Sequence, residues 1–295
     1  MYGIVIVNQT LGHNEYKIKR FQEEFNKLGL SFDVFVNDGT LAEIVNGEIK
    51  IHLPKADYVL YLDKDLYLAL MLEKNGYRLF NNSSFLKLCD DKNLTLIKCA
   101  NNNIPIIKTI TSPLVYTDTL TESNYAFLDT VIERLGLPLV VKKVFGSLGE
   151  GVYLANSKDE LKNIYSKHFA NPLLFEQYIS SSFGRSVRAL VVDQKVVGVI
   201  ERNGSKDFRS NFGKNTYSKN IINSQKFIDF AQNITDLLEI EYAGIDLLYD
   251  ENEQPILCEI NSNAFFEEFE KTTGVNVAKL YGEMILRKCG HNEQK

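Results

Sequence analysis

Apolar residues recur with two different periods along this chain, and the changes of period mark its parts. Residues 3–8 (GIVIVN) form an unbroken apolar run of the length of a buried strand. In 15–28 (EYKIKRFQEEFNKL), Ile18, Phe21, Phe25 and Leu28 fall on one helical face, and Gly29 ends the pattern. The pattern predicts strands at 30–36 and 57–62, a helix at 65–74 and a short strand at 77–80. Strands alternating with helices imply a parallel sheet covered by helices. Residues 1–82 therefore read as one α/β unit.

A connection at 81–91 leads to a helix over 92–102, capped by Asp90 or Asp91, and then to a strand at 104–110. A polar loop, a helix at 124–135 and a strand ending in VVKKV follow. Ser157 with Glu160 is a capping box for a helix near 158–169. These elements make a second unit, 83–172. From 173 onward the pattern is β-rich: LLFEQYI (173–179), SVRALVVD (186–193) and KVVGVIER (195–202), with Asp193-Gln194 as a hairpin turn. A long helix (220–238), two strands flanking 250–255 and a closing helix (275–288) complete a third unit, 173–295. The predicted class is α/β followed by α+β.

The 295 residues are 44% hydrophobic and 24% charged, which supports a packed core rather than disorder. A net charge of −5 argues against a general nucleic-acid binder, which needs a basic face. No stretch approaches the ~18 apolar residues of a membrane span. The first residues carry no basic leader, so a cytoplasmic protein without membrane association is expected. Cys89, Cys99, Cys258 and Cys289 contain no CxxC pair, and His13, His52, His168 and His291 are far apart. Neither a disulfide framework nor a zinc site is read from them.

The strongest chemical signal lies near the end. Apolar stretches at 242–249 and 256–261 flank the turn-forming DENEQP (250–255). A symmetric hairpin across that turn sets Asp246 opposite Glu259, and Asn261, two residues on, shares their face. Like charges that close are unfavourable unless a cation joins them, and three hard oxygens suit Mg²⁺. A solvated outer face of an edge hairpin is the bland alternative. VVKKVFGSLGEGV (140–152) is strand, glycine-rich loop, strand. Its glycines let backbone N–H groups face phosphate oxygens, and Lys142 supplies a cation. The spacing is neither a P-loop nor a dinucleotide fingerprint, and a plain hairpin remains open. Residues 201–211 carry Arg202, Lys206 and Arg209, phosphate partners by chemistry or else a solvated loop.

Four segments together resemble the RimK-like ATP-grasp ligases: LPLVVKKVFGSLGEGV (137–152), IERNGSKDFRSN (200–211), YAGIDLL (242–248) and CEINSNAFFEEFEKTTGVNVA (258–278). The family includes ribosomal-protein glutamate ligases and amino-group-carrier lysine-biosynthesis ligases, and the resemblance covers 83–288. It implies an ATP-grasp fold of three subdomains, with ATP between two α+β halves and Mg²⁺ or Mn²⁺ as the metal. Asp246, Glu259 and Asn261 are then the metal ligands. Lys92 and Lys142 touch nucleotide phosphates, and Gly146, Ser147, Gly149 and Gly151 form the loop over them. Glu176, Gln177, Tyr178 and Ile179 resemble the hinge that hydrogen-bonds adenine. Arg209, Ser210 and Asn211 resemble the segment beside the phosphates and the acyl intermediate, and Arg202 resembles a contact to the acylphosphate.

Three departures accompany the resemblance. Ser186 stands where the family usually has a carboxylate for the ribose hydroxyls. Asn261-Ser262-Asn263-Ala264-Phe265 replaces the usual NASPG, and Phe145 replaces a residue often acidic in ribosomal-protein ligases. The implied activity is ATP-dependent amide formation through an acylphosphate, with Lys142, Arg202 and Arg209 catalytic. An amino acid such as glutamate is the implied amine, and the acceptor is a carboxylate-bearing peptide, protein tail or small molecule. Members often assemble as homo-oligomers, and the same is expected here. A nucleotide-binding regulatory module without turnover, and another ATP-grasp ligase acting on a small metabolite, are the alternatives.

Overall fold

The computed structural model describes residues 1–8, 14–146, 149–204, 208–209, 216–221 and 224–290. The N-terminal part runs β1 (Tyr2–Asn8), α1 (Glu15–Lys27), β2 (Ser31–Asn37), the hairpin β3 (Ala42–Val45) and β4 (Glu48–Ile51), β5 (Tyr58–Leu62), α2 (Leu66–Lys74) and β6 (Leu79–Phe80). Four strands form a parallel sheet in the order β2-β1-β5-β6. The centre of β1 and all of β5 are buried, as unbroken apolar runs require when both faces of a sheet are covered. The β3–β4 hairpin turns at Asn46-Gly47, both at positive φ, a turn whose twist suits paired strands.

The middle part runs α3 (Ser83–Asp90), α4 (Lys92–Cys99), β7 (Thr109–Thr111), α5 (Glu122–Leu135), β8 (Leu139–Lys143), β9 (Val152–Ala155), α6 (Lys158–His168) and β10 (Leu173–Gln177). Its antiparallel sheet has the order β7-β10-β8-β9. Leu128, Val131, Leu161 and Tyr165 of α5 and α6 pack on Leu139, Val141 and Phe175 of that sheet. β10 pairs with both β7 and β8, so the middle sheet extends past residue 172. The stretch predicted as a connection contains α3, whose first turn is capped by the Asn82 side chain accepting from the Phe85 amide. The strand predicted at 104–110 shrinks to β7. Pro105 has no N–H to offer a ladder. Its carbonyl accepts from Leu257 instead, and Ile106 bridges to the same residue.

The last part runs β11 (Arg185–Val192), β12 (Lys195–Gly204), β13 (Thr216–Asn220), α7 (Gln225–Leu238), β14 (Tyr242–Tyr249), β15 (Pro255–Asn261), α8 (Glu267–Thr273) and α9 (Val277–Gly290). Its strands form an antiparallel sheet ordered β13-β12-β11-β14-β15. α7 begins at 225, and β13 takes residues 216–220 as an edge strand. Val187, Ala189, Val191, Ile245 and Leu247 on one face pack against Phe227 and Phe230 of α7 and Phe85 of α3. On the other face Leu190, Ile200 and Tyr242 join Phe21 and Phe25 of α1, Tyr281 of α9 and Val5 of β1 in one core. The N-terminal and C-terminal sheets thus share a core. Among the described residues no helix is long and apolar enough to cross a membrane.

Candidate active site

β14 and β15 pair so that Asp246 faces Glu259 and Gly244 faces Asn261. Closer to the turn the pairs are Leu247 with Leu257 and Tyr249 with Pro255, one residue out of step. Cys258 is the extra residue of a bulge. The hairpin is therefore not symmetric about 250–255, and the bulge restores the predicted pairing at the site. It also lets Cys258 and Glu259 line the same cleft. Asn261 Nδ2 lies 3.1 Å from Asp246 and 3.2 Å from Glu259, so the three groups converge. Turning the amide by a half-rotation, a choice that only hydrogen positions distinguish, places its oxygen with the carboxylates. Such an all-oxygen donor set fits Mg²⁺ or Mn²⁺.

A residue that the motifs do not name holds this group in place. Arg188 of β11 stands opposite Asp246 in register. It forks the carboxylate, Nε donating to Oδ1 and Nη2 to Oδ2. Both side chains are buried. Burial weighs most against the charge on Asp246, but Arg188 by its charge and hydrogen bonds, with Arg202 and Glu259, holds the carboxyl below the usual carboxylate range. Gly244 makes the arrangement sterically possible. A Cβ there would lie 2.6 Å from Arg188 Nη1 and 2.8 Å from Ala264 Cβ. Arg202 of β12 comes within 3.7 Å of Asp246 and donates to Glu268 at 2.9 Å. Burial, then the nearby Arg188, lowers its pKa. The signal for Arg188 was available in SVRALVV: a charge inside a buried apolar strand must be paired or used.

On the facing sheet, Lys142 of β8 places Nζ 2.6 Å from Glu176 and 3.7 Å from Cys258 Sγ. Burial opposes its charge, while Cys258, Glu176 and Glu259 together raise its pKa. Burial pushes the Cys258 thiol up to about 12, so at neutral pH the two carboxylates hold the lysine charged. The Glu176 side chain is thereby engaged with Lys142. Lys92, in the first turn of α4, donates to the carbonyls of Gly146 at 2.9 Å and Val144 at 3.3 Å, tying down the start of the glycine loop. Its pKa is lowered by burial. Gly151 at φ 72° closes the loop against Lys143, whose Cδ would lie 2.9 Å from any Cβ there. Arg209 Nη1 donates to the Gly149 carbonyl at 3.0 Å, linking the C-terminal part to that loop.

A cleft open to solvent lies between the middle and C-terminal sheets. Lys92, Lys142 and residues 176–179 line one side, and Ser186, Asp246, Cys258 and Glu259 line the other. Gly146, Gly149 and Arg209 also border it. Arg202 stands beside Asp246 rather than among the lining residues. Ser147, Ser210 and Asn211 lie outside the described residues, as do Lys206, His13 and His291.

Two facing antiparallel sheets, a glycine loop on one and a carboxylate hairpin on the other define an ATP-grasp ligase. Its fold is that of the D-alanine–D-alanine ligase of Bacillus anthracis, matched with a TM-score of 0.75 over 99% of this chain and 98% of that one at 18% identity. Residues 90–285 match the RimK-like ATP-grasp domain, and the chain belongs to that family. The uncharacterised protein MG012 of Mycoplasma genitalium is 30% identical over 83% of this chain and 86% of its own length. Human beta-citrylglutamate synthase B is 28% identical, over 90% of this chain and 70% of its own. The class joins a carboxylate to an amine with ATP, and this chain is such a ligase. The family uses ATP with a divalent metal.

Proposed function

We propose that the amine is that of glutamate, and that the acceptor is a small acid, or a peptide or protein end, with a free carboxylate. Asn261 converging on Asp246 and Glu259, two carboxylates that line a cleft with Lys142, carries the ATP-dependent part of this reading. The name of human beta-citrylglutamate synthase B supports glutamate as one of the joined parts. The acceptor carboxylate attacks the γ-phosphorus of ATP; the bond to the bridging oxygen breaks and ADP leaves. The glutamate amine then attacks the acyl carbon, phosphate departs with the C–O electron pair, and the nitrogen loses a proton. A carboxylate is already a nucleophile, so no serine, cysteine or histidine needs activating. Positioning and charge neutralisation supply the catalysis.

In this reading Asp246, Glu259 and Asn261 hold Mg²⁺ or Mn²⁺, which when bound neutralises the triphosphate. Lys142 and Arg209 offset charge on the transferred group, and Arg202 contacts the acylphosphate. Lys92 fixes the glycine loop, whose Gly146, Ser147, Gly149 and Gly151 cover the phosphates and keep water from the intermediate. Ser210 and Asn211 are assigned by their motif alone to the phosphates and the acyl intermediate. The backbone of 176–179 holds adenine, and Ser186 offers its hydroxyl near the ribose. The chain acts as a cytoplasmic homo-oligomer whose three ATP-grasp subdomains are 1–82, the unit 83–172 extended by β10, and the remainder to 295. The test is phosphate release from ATP with glutamate and a panel of acids, followed by product mass. A product equal to acid plus glutamate less water is expected. Tight ATP binding with no ADP from any pair would overturn the reading.

A further inference from the structure

β15 ends at Asn261, and the three residues that follow leave the sheet. A buried carbonyl outside a ladder must find another donor. Here a side chain meets each of the three. Asn81 Nδ2 donates to the Ser262 carbonyl at 2.7 Å, Lys17 Nζ to that of Asn263 at 2.9 Å, and the Tyr242 hydroxyl to that of Ala264 at 2.7 Å. All three donors are buried. The Asn263 side-chain amide in turn donates to the carbonyl of Asp63, just past the end of β5, at 2.9 Å. The Lys17 ammonium also lies 4.8 Å from the centre of the Phe265 ring, so residues 262–265 are held one after another. Lys17, Asp63 and Asn81 belong to the N-terminal part, which contributes none of the described residues that line the nucleotide cleft.

The held turn reaches the carboxylate hairpin by two routes. Through the backbone it continues directly from Asn261, whose amide converges on Asp246 and Glu259. Through packing, Ala264 folds back over Gly244, the residue paired with Asn261. A Cβ at Gly244 would lie 2.8 Å from Ala264 Cβ and 2.6 Å from Arg188 Nη1, so Ala264 and Arg188 close on the same spot. Arg188 is the group that forks Asp246. Asn81 adds a second bond, donating to the Tyr242 carbonyl at 2.9 Å, and so ties the start of β14 to the same turn. A shift of this turn would displace an amide and a guanidinium together, and a site of this kind tolerates only about 0.5 Å of misplacement.

We infer that Lys17 and Asn81 are positioning residues for the metal site: they grip the turn 262–264, which sets Asn261 directly and Asp246 through Ala264 and Arg188. This rests on the reading of Asp246, Glu259 and Asn261 as the metal ligands. The N-terminal part of the chain thereby governs how tightly the cation is held, from outside the nucleotide cleft.

The test is ADP binding by titration calorimetry, in excess Mn²⁺ and in EDTA, for wild type, Lys17→Met, Asn81→Ser and Glu259→Gln. Wild type is expected to bind ADP more tightly with Mn²⁺ than in EDTA, and Glu259→Gln to lose that gain. In Lys17→Met and Asn81→Ser the gain is expected to fall at least about tenfold, the lower end for loss of a group that orients a metal ligand. Their affinity for ADP in EDTA is expected to stay at the wild-type value. If both keep the wild-type gain while Glu259→Gln loses it, the turn is held for stability alone; the inference is overturned and the metal reading stands. A fall of equal factor with Mn²⁺ and in EDTA also overturns it, because the cleft as a whole is then disturbed. If wild type shows no gain, or Glu259→Gln keeps it, the metal reading fails and the inference with it. Either variant decides the matter if the other does not fold.

Discussion

The two faces of the five-stranded sheet come from the same strands, residue by residue, and have opposite characters. One carries Val187, Ala189, Val191, Ile245 and Leu247 and packs on α7 and α3. The other carries Ser186, Arg188, Arg202, Asp246, Glu259 and Asn261 before giving way to Leu190, Ile200 and Tyr242. A period of two separates them: Arg188 lies between Val187 and Ala189, and Asp246 between Ile245 and Leu247, whose side chains point the other way. The apolar face makes the polar face rigid, and a rigid platform is what a site needs if charges are to be held close together. The exception is Glu201, a carboxylate at the edge of the apolar face. Tyr249, Lys219 and Asn203 satisfy it there.

The sharpest way to break the comparison is to remove charge from the polar face. Glu259→Gln is expected to lower kcat by roughly 10²–10³-fold, as loss of one preorganised electrostatic group does, with an unchanged melting temperature. Asp246→Ala is expected to lose activity and also about 3–5 kcal/mol of stability, because it strands the buried Arg188. Near-normal turnover in the double variant Asp246→Ala, Glu259→Ala would refute the site.

The apolar face should respond in the opposite sense. Leu247→Ala is expected to cost about 2–5 kcal/mol in denaturant unfolding with the KM for ATP unchanged. A change in KM with no loss of stability would mean that the faces are not separable. The next effect is a pH dependence. Burial, aided by Arg188, pulls the Lys17 amine down to about 7. Between that value and its ordinary value near 10.4, the unfolded chain binds a proton that the folded protein does not. Wild-type stability should therefore rise with pH across that window relative to Lys17→Met, and a constant gap would contradict the assignment. The smallest effect expected is at the edge of the apolar face. Tyr249→Phe removes a hydroxyl donated to Glu201 and should cost about 1 kcal/mol. Burial resists the charge on Glu201, and Tyr249 leads the partners that still lower its pKa. The stability this carboxylate adds is present above its unfolded pKa and lost as pH falls through the folded one. In Tyr249→Phe the acid melting limb should therefore move to higher pH.

Much of this was legible because strong patterns carried it. β1, α1 and β14–β15 have long apolar periods, and the carboxylate pair follows from strand alternation. The pairing of Asp246 with Glu259 was reached through a symmetric turn, whereas the structure reaches it through a shifted turn and a bulge at Cys258. Alternation alone cannot show a bulge. The β3–β4 hairpin escaped the pattern because its side chains are largely solvated, leaving Asn46-Gly47 as its sole mark. α3 escaped because its polar start reads as a loop. Arg188 and Lys17 lay outside the glycine loop and the acidic motif; Arg188 shows only as a charge in an apolar strand, and Lys17 is one of several charges along α1. Which anion or cation answers such a charge depends on strands distant in sequence.

The core shared by α1, α9 and the strands on either side has a practical consequence for dissecting the molecule. Phe266 and Tyr281 belong to the last thirty residues of the chain, yet they rest against side chains from its first thirty. A fragment starting at residue 83 would bare that aromatic surface to water and should aggregate on expression. The catalytic half cannot be harvested as a stand-alone module, and a graft onto another enzyme would have to bring both ends of the polypeptide with it.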